Sequence, residues 1–370
     1  MQALSWLLLA LLAVLGARRL LLIVAALLPP RKVERGFAPS VAVLVSARNE
    51  ESTVPELLQA FERLDYPSGR IRFVLVSDAS RDATPVLFQR WVAGRSDAQC
   101  LALAAPAGKA EALNRGLALV PRSDLIAVYD ADQRPEPSSL GTLAAVFADP
   151  RVGAASGYRA PLNPDLSLVS RYAALESWVH QLVNQAGRDR LGWNPPSMGG
   201  NCLYRGRALE QVGGFPAGSF GEDTEVSLAL VAGGWQSRFI RGAVAGSALA
   251  ESLRHYWQQR ARWNWGLWKA GRRATGLESW MVVLGYADRL LILAAALLVA
   301  AGQMNVLWPA LYLAAPCLAS VVALWRAGIR RRIPGYLFSP VLLFAVDVAV
   351  TLASTLAVVF RRRPKWGGKA

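Results

Sequence analysis

The chain has 370 residues, 53% of them hydrophobic, and 41 Lys+Arg against 26 Asp+Glu give a formal net charge of +15. Three scattered cysteines (Cys100, Cys202, Cys317) and two histidines exclude a disulfide framework, a zinc-type spacing and a His-rich metal site, and they fit a soluble part in a reducing cytoplasm. The basic excess forms no motif with interleaved stacking aromatics, so no nucleic-acid partner is expected. It flanks long apolar runs instead, at Arg31–Lys32, Arg272–Arg273, Arg330–Arg332 and Arg361–Arg363 with Lys365. Such clusters are drawn to anionic headgroups and mark cytoplasmic flanks.

Residues 1–30 form the first expected membrane segment. The run 4–28 is apolar except for Arg18–Arg19 near its middle, each costing about 2.5–3.5 kcal/mol at a helix centre. The run reads as one tilted transmembrane helix, or as two pieces, 4–17 and 20–28. No cleavage-like site follows it, so it is expected to be retained. From residue 38 the pattern changes. Apolar runs at 41–46, 72–77, 100–105 and 124–130 read as strands, separated by helical stretches at 53–64, 82–93 and 109–120 opened by residues such as Ser52 and Asp82. This alternation implies an α/β domain over 38–250, with a mostly parallel sheet and helices on both faces.

Polar tails follow each strand: "SARNEE", "SDAS", "GKAEALN" and "DAD". In open α/β sheets, ligands bind at the strands' carboxyl ends. In "DLIAVYDADQRPEP" (124–137), Asp130 and Asp132 are two residues apart and would share one side of an extended chain. Their pairing calls for a positive partner. Neither GxGxxG nor GxxxxGK[ST] is present, so no dinucleotide or P-loop site is expected.

Residues 251–275 interleave Trp257, Trp263, Trp265 and Trp268 with Arg260, Arg262 and Lys269, the pattern of an interfacial amphipathic helix. Three further apolar segments, 281–302, 305–325 and 337–360, are each long enough to span. They carry Asp288, Arg289 and Asp347, which are either functional or paired with a neighbouring helix. The last ten residues, 361–370, form a basic tail. Three spans would put that tail outside, against the positive-inside rule, unless the last segment is re-entrant.

The ordered set "VSARNEE", "VSDAS", "GKAEALNRGL", "YDAD", "GGNCLYRGRALEQVGGF", "GEDTEVSLAL" and "QQRARW" resembles membrane-bound family 2 glycosyltransferases of the GT-A fold, over roughly residues 38–270. The resemblance implies that Asp78 holds the nucleoside, with Arg48, Asn49 and Glu50 in the same pocket and Lys109 and Asn114 near the base and diphosphate. Asp130 and Asp132 correspond to the metal-binding DxD pair for Mg²⁺ or Mn²⁺, and Asp223 to the catalytic base beside Glu222. Gln259, Arg262 and Trp263 correspond to the QxxRW motif that closes over diphosphate and acceptor.

These residue types suit the chemistry. A departing diphosphate needs neutralisation by a divalent cation, and an acceptor hydroxyl needs a carboxylate to take its proton. The expected protein is an inverting transferase in the cell membrane, with a cytoplasmic catalytic domain, a nucleotide-sugar donor (a UDP-sugar) and a membrane-lipid acceptor. A processive polysaccharide synthase is the alternative, and a non-catalytic transporter or nucleotide-sugar sensor a more distant one. Its oligomeric state is left open.

Overall fold

Residues 2–33, 36–120, 123–219, 221–271, 275–283 and 288–360 are described by a computed structural model. The basic tail 361–370 and the pair Arg272–Arg273 lie outside the described residues. In chain order the elements are α1 (Gln2–Leu27), β1 (Val41–Ala47), α2 (Val54–Glu62), β2 (Ile71–Ser77), α3 (Thr84–Val92), β3 (Ala98–Ala102), α4 (Lys109–Leu117), β4 (Leu125–Asp130) and β5 (Gln133–Pro135). There follow α5 (Ser139–Ala144), β6 (Val152–Pro161), α6 (Leu168–Trp178), a π-helical stretch (Val179–Gln185), α7 (Ala186–Leu191), β7 (Cys202–Arg205) and α8 (Gly206–Gln211). The chain continues through α9 (Glu222–Ala232), β8 (Gln236–Ser247), α10 (Leu253–Ala270), α11 (Gly276–Val283), α12 (Asp288–Ala300), α13 (Leu307–Arg326) and α14 (Ile333–Val359).

The strands form one mixed sheet of order β3-β2-β1-β4-β7-β6-β8-β5. β1, β2, β3 and β4 pair in parallel, β7 runs antiparallel to both β4 and β6, and β6 and β8 are again parallel. β1 reads as a continuous apolar run because both its faces are covered. Val41, Val43 and Val45 pack toward Leu57 and Phe61 of α2 and Leu140 and Leu143 of α5, whereas Ala42 and Leu44 pack toward Leu113 of α4 and Val226 and Leu230 of α9. The sheet is therefore sandwiched as the alternation implied.

The third strand ends at Ala102 rather than at 105, because its partner β2 ends at Ser77, opposite Ala102. Thr53, not Ser52, precedes α2. Asp82 works one residue earlier than a formal cap, its carboxylate accepting from the Thr84 and Glu51 backbone N–H groups. The chain steps from β1 outward to β2 and β3, then returns to place β4 on the other side of β1. The carboxyl ends of β1 and β4 therefore flank the point where strand order reverses, where such sheets place their ligands.

Among the described residues, three helices are long and apolar enough to cross a membrane: Ser5–Leu27 within α1, Leu307–Arg326 and Ile333–Val359. α1 is one unbroken helix, and Arg19 is paired with Asp288 at 2.9 Å. α14 is likewise one helix, with no re-entrant turn. Within the expected span 281–302, residues 284–287 lie outside the described residues; α11 ends at Val283 before them and α12, of 13 residues, begins at Asp288 after them.

The helix ends set the arrangement. Arg326, closing α13, donates to the carbonyl of Ala26 near the end of α1, and Ser5 at the other end of α1 donates to the Gln303 carbonyl at 3.4 Å. α1 and α13 thus run parallel, with α12 antiparallel to them. The α6–π–α7 segment seats the sheet domain on this bundle. Ala174, Leu175, Trp178, Leu182 and Val183 pack against Ile23 and Ala26 of α1, Ala319 and Ala323 of α13, and Tyr336 of α14.

Candidate active site

Asp130 is the last residue of β4, and Asp132 falls in the turn before β5. The shared-side argument for strand residues therefore carries Asp130 to the sheet edge, while a turn presents Asp132. Lys109, the first residue of α4, places its Nζ 2.7 Å from Asp130 Oδ1, 3.0 Å from Glu222 Oε1 and 3.0 Å from the Gly199 carbonyl. The positive partner of Asp130 is thus a lysine from the third strand's loop. Burial opposes the charge on Lys109, but Asp130 and Glu222 outweigh it and hold the ammonium above its ordinary value.

The Gly199–Gly200 turn threads between the carboxylates. A Cβ at Gly200 would lie 2.5 Å from Asp130 Oδ2 and 2.5 Å from Gln133 Nε2; one at Gly199, where φ is +83°, would lie 3.1 Å from Asp223 Oδ2. A side chain at the first position would have to displace the ends of the Asp130 and Gln133 side chains, and the second favours glycine by its backbone conformation. Ser197 pins this turn to α9, its N–H donating to Ser227 Oγ at 2.8 Å and its hydroxyl to the Asp223 carbonyl at 3.0 Å. Asp223 lies in the first turn of α9, with Oδ1 accepting the Thr224 N–H at 2.8 Å. Burial, and next the charge of Glu222, raise its carboxyl to about 6, with Lys109 partly offsetting both.

α10 approaches from the side of α14, on which it packs. Gly266 packs against Gly221, just ahead of Glu222, where a Cβ on Gly221 would stand 3.2 Å from its backbone. Arg262, one turn earlier, feels the charge of Glu222, although burial makes the larger contribution and holds its guanidinium below the usual value. Gln259 and Trp263 flank it on the same helix.

A profile of the family described as "Glycosyltransferase like family 2" matches residues 38–266, most of the chain and all of this constellation. The chain belongs to that family. Its relatives include a probable glycosyltransferase, YdaM, of Bacillus subtilis (30% identical over 61% of this chain and 54% of that protein) and an N-acetylglucosaminyltransferase of Rhizobium leguminosarum bv. viciae (27% over 74% and 68%). A β-monoglucosyldiacylglycerol synthase of Trichormus variabilis is 27% identical over 69% of this chain and 54% of that protein. The chain thus spans about half to two-thirds of the length of these relatives. Among solved structures, the mannosyltransferase PcManGT of Pyrobaculum calidifontis, in complex with GDP-Man and Mn²⁺, shares the fold with a TM-score of 0.68 at 21% identity, over 98% of this chain and 99% of that one. That likeness extends through the candidate membrane helices as well as the sheet.

The remaining residues expected from this family's motifs have specific local tasks. Asp78, 2% exposed, accepts the Ala107 and Gly108 N–H groups at 2.6 and 2.9 Å, so it holds the loop that delivers Lys109. Asn114 is a clip: its amide donates to the Phe215 carbonyl and accepts the Phe215 N–H. Asn49, in the left-handed region at φ 56°, accepts the Arg81 N–H, and the Glu50 N–H reaches Thr84 Oγ1, so the loops after β1 and β2 are knitted together with Arg48 between them. Pro195, Pro196 and Met198 are buried in a core loop.

Sequence reasoning overlooked Gln133, which lies in a fully buried position and accepts the Asp130 N–H. It also left Gly199 and Gly200 without a role. The double glycine in "GGNC" was the available signal. Among the described residues, no three His, Cys, Asp or Glu form a ready-made metal cage. Asp130 and Asp132 supply only oxygen, the donor type a hard divalent cation takes, and Asp130 offers Oδ2 beside the Oδ1 that Lys109 holds.

Proposed function

We propose that the protein is an inverting glycosyltransferase that moves a sugar from a UDP-sugar to a hydroxyl of a membrane lipid. The observation that carries the reading is the convergence of Asp130, Lys109, Glu222 and Asp223 under a helix, α10, whose other side packs on α14, a membrane-crossing candidate. Two relatives of different length bear on the acceptor, and the one named for a diacylglycerol lipid motivates the choice.

In this reading Asp132 and Asp130 hold Mg²⁺ or Mn²⁺, which when bound neutralises the departing diphosphate. Lys109 and Arg262 bring positive charge to the same side, Arg262 with a fork suited to phosphate oxygens. Asp78, Arg48, Asn49 and Glu50 frame the nucleoside from the β1 and β2 loops, and Asn114 supports the pocket by fixing Phe215. Asp223 takes the acceptor proton: a carboxyl near 6 is a stronger base than an ordinary aspartate and is still ionised at neutral pH. Glu222 and Trp263 lie on the acceptor side. The domain faces the cytoplasm, since the basic clusters Arg31–Lys32 and Arg330–Arg332 both lie where helices end beside it.

The test is incubation of purified protein with labelled UDP-sugars, Mn²⁺ and extracted native lipids, followed by separation of organic-soluble product from high-molecular-weight polymer. One or a few sugars on a lipid, abolished by EDTA and by Asp132→Ala, is the expected result. A long, glycosidase-sensitive polymer would mean a processive synthase instead, although the three candidate spans among the described residues are few for lining a secretion channel.

A further inference from the structure

Beyond the catalytic cluster, the junction of domain and membrane bundle holds a second set of buried ionisable groups to which the proposed reaction gives no role. Glu176 of α6 accepts from Tyr256 Oη (2.9 Å) and Arg260 (2.5 Å) through Oε2, and from Arg289 (2.9 Å) through Oε1. Asp347 of α14 accepts from Tyr256 (2.6 Å) and Tyr172 (3.0 Å) and is also bonded to Arg289 Nε. Asp288 links Arg289 to Arg19 of α1. Arg19, Arg260 and Arg289 thus balance Glu176, Asp288 and Asp347, and one chain of contacts joins α1, α6, α10, α12 and α14.

A buried ionic network gains little stability over apolar packing of the same volume, because desolvation cancels most of the attraction. What it can supply is a fixed arrangement, since displacing any one member strands a partner's charge. The residue that arrangement fixes is identifiable. The Arg260 guanidinium lies 4.9 Å from the Tyr256 ring centroid and 4.6 Å from that of Trp263. Trp263 belongs to the QxxRW segment, and its neighbour Arg262 is one turn before Gly266, which packs against Gly221 at the start of α9. On α10, residues 256 and 260 face α6 and α14, while 262 and 266 face α9, so one helix joins the network to the site.

We propose that Glu176 is a positioning residue for sugar transfer: acting through Arg260, it sets the Trp263 ring at the acceptor side of the site, so that the seating of the membrane helices governs how the acceptor is held. This rests on the transferase reading above, but not on the acceptor being a lipid.

The test is a double-mutant cycle in the full-length protein, using whichever acceptor the wild type glycosylates. Glu176→Gln keeps the shape and loses the charge; Trp263→Ala removes the ring that Glu176 acts upon. Glu176→Gln alone should lower kcat/KM for the acceptor about tenfold, with donor affinity, read by UDP-sugar titration, unchanged. In the Trp263→Ala background the same substitution should cause no further loss, because the two act in series. Losses that multiply, or a matching loss of donor affinity, would overturn the proposal and leave Glu176 a packing residue. Should Glu176→Gln fail to accumulate folded, Arg260→Lys, which keeps the charge and loses the flat stacking surface, is put through the same cycle with the same criterion. A polymer product from the wild type would refute the lipid acceptor while leaving this cycle interpretable.

Discussion

Asp223 combines two influences that a sequence cannot weigh. Position after Glu222 at a helix start was visible, and on dipole grounds alone an acid there would be held ionised. The fold buries it beside Glu222 and against the Gly199 turn, and the net effect is a carboxyl near 6. The sign is clear: the deprotonated form is the base, so kcat/KM should climb with pH through about 6 and level off above it. Asp223→Asn should abolish that limb and slow transfer at least ~10²-fold, the usual scale for losing a general base, with donor affinity retained. A pH–rate profile with a UDP-sugar titration of the variant checks both. Near-normal turnover would move the base elsewhere, with Glu222 the first alternative. Other residues show why motif reading is partial. Asp78 and Asn114 sit where the motifs put them, yet their visible bonds go to backbone 30 and 101 residues away. Glu176 was not legible at all, for it lies in an ordinary helical stretch and its arginine partners are 84 and 113 residues distant.

Among elements, the first half of the sheet was legible because each strand is a continuous apolar run and each crossover helix carries its own periodicity. From residue 131 onward that logic fails. β5, β7 and β8 make antiparallel pairs, and β6 pairs with β8 through register shifts at Val152/Ala154 and Gly157/Tyr158, so partners are chosen by distant chain rather than by local pattern. The membrane seat was hidden for a similar reason: the π-helical stretch between α6 and α7 has no distinctive composition. Its fit to α1 is close. A Cβ on Gly187 of α7 would stand 2.4 Å from the Leu22 carbonyl oxygen of α1, a backbone atom that no rotamer change can move. Gly187→Ala should therefore push α1 off its seat at about 1–3 kcal/mol, the cost of overpacking a filled interface. Gly16→Ala, on α1 itself, meets only Tyr312 at an ordinary 3.7 Å and serves as the control. Thermal unfolding in detergent should show a clear drop for the first and little change for the second; equal behaviour would mean that α1 does not pack on α7 in this way.

Across the whole molecule, the helix ends define two sides. Ala26 and Arg326 meet beside the sheet domain, and Ser5 and Gln303 meet at the opposite end of the bundle. At 1.5 Å per residue the 26 residues of α1 extend about 39 Å, enough to cross a hydrocarbon core near 30 Å with room to tilt. α12 runs from Asp288, paired with Arg19 part-way along α1, to the Gln303 side, so its first residues begin at membrane depth. This accounts for Arg19, Asp288, Arg289 and Asp347, which pair with one another and with Glu176. It also places the end of α14 on the Gln303 side, because α14 starts beside the domain, where Arg332 approaches Asp165 at 3.5 Å. The end of α14, at Val359, is then opposite the other basic clusters. The positive-inside rule weighs all flanks together, and on the domain side Arg31, Lys32, Arg326 and Arg330–Arg332 make six basic residues against the five of 361–370. If this arrangement spans a bilayer, a lone cysteine introduced as Gln303→Cys, with Cys100, Cys202 and Cys317 replaced by serine, should react with a membrane-impermeant maleimide in intact cells. Ser40→Cys in the same background should react only after the membrane is opened. Labelling of both from one side would place the two helix ends on the same face of the membrane, and the bundle would then lie along the bilayer instead of through it.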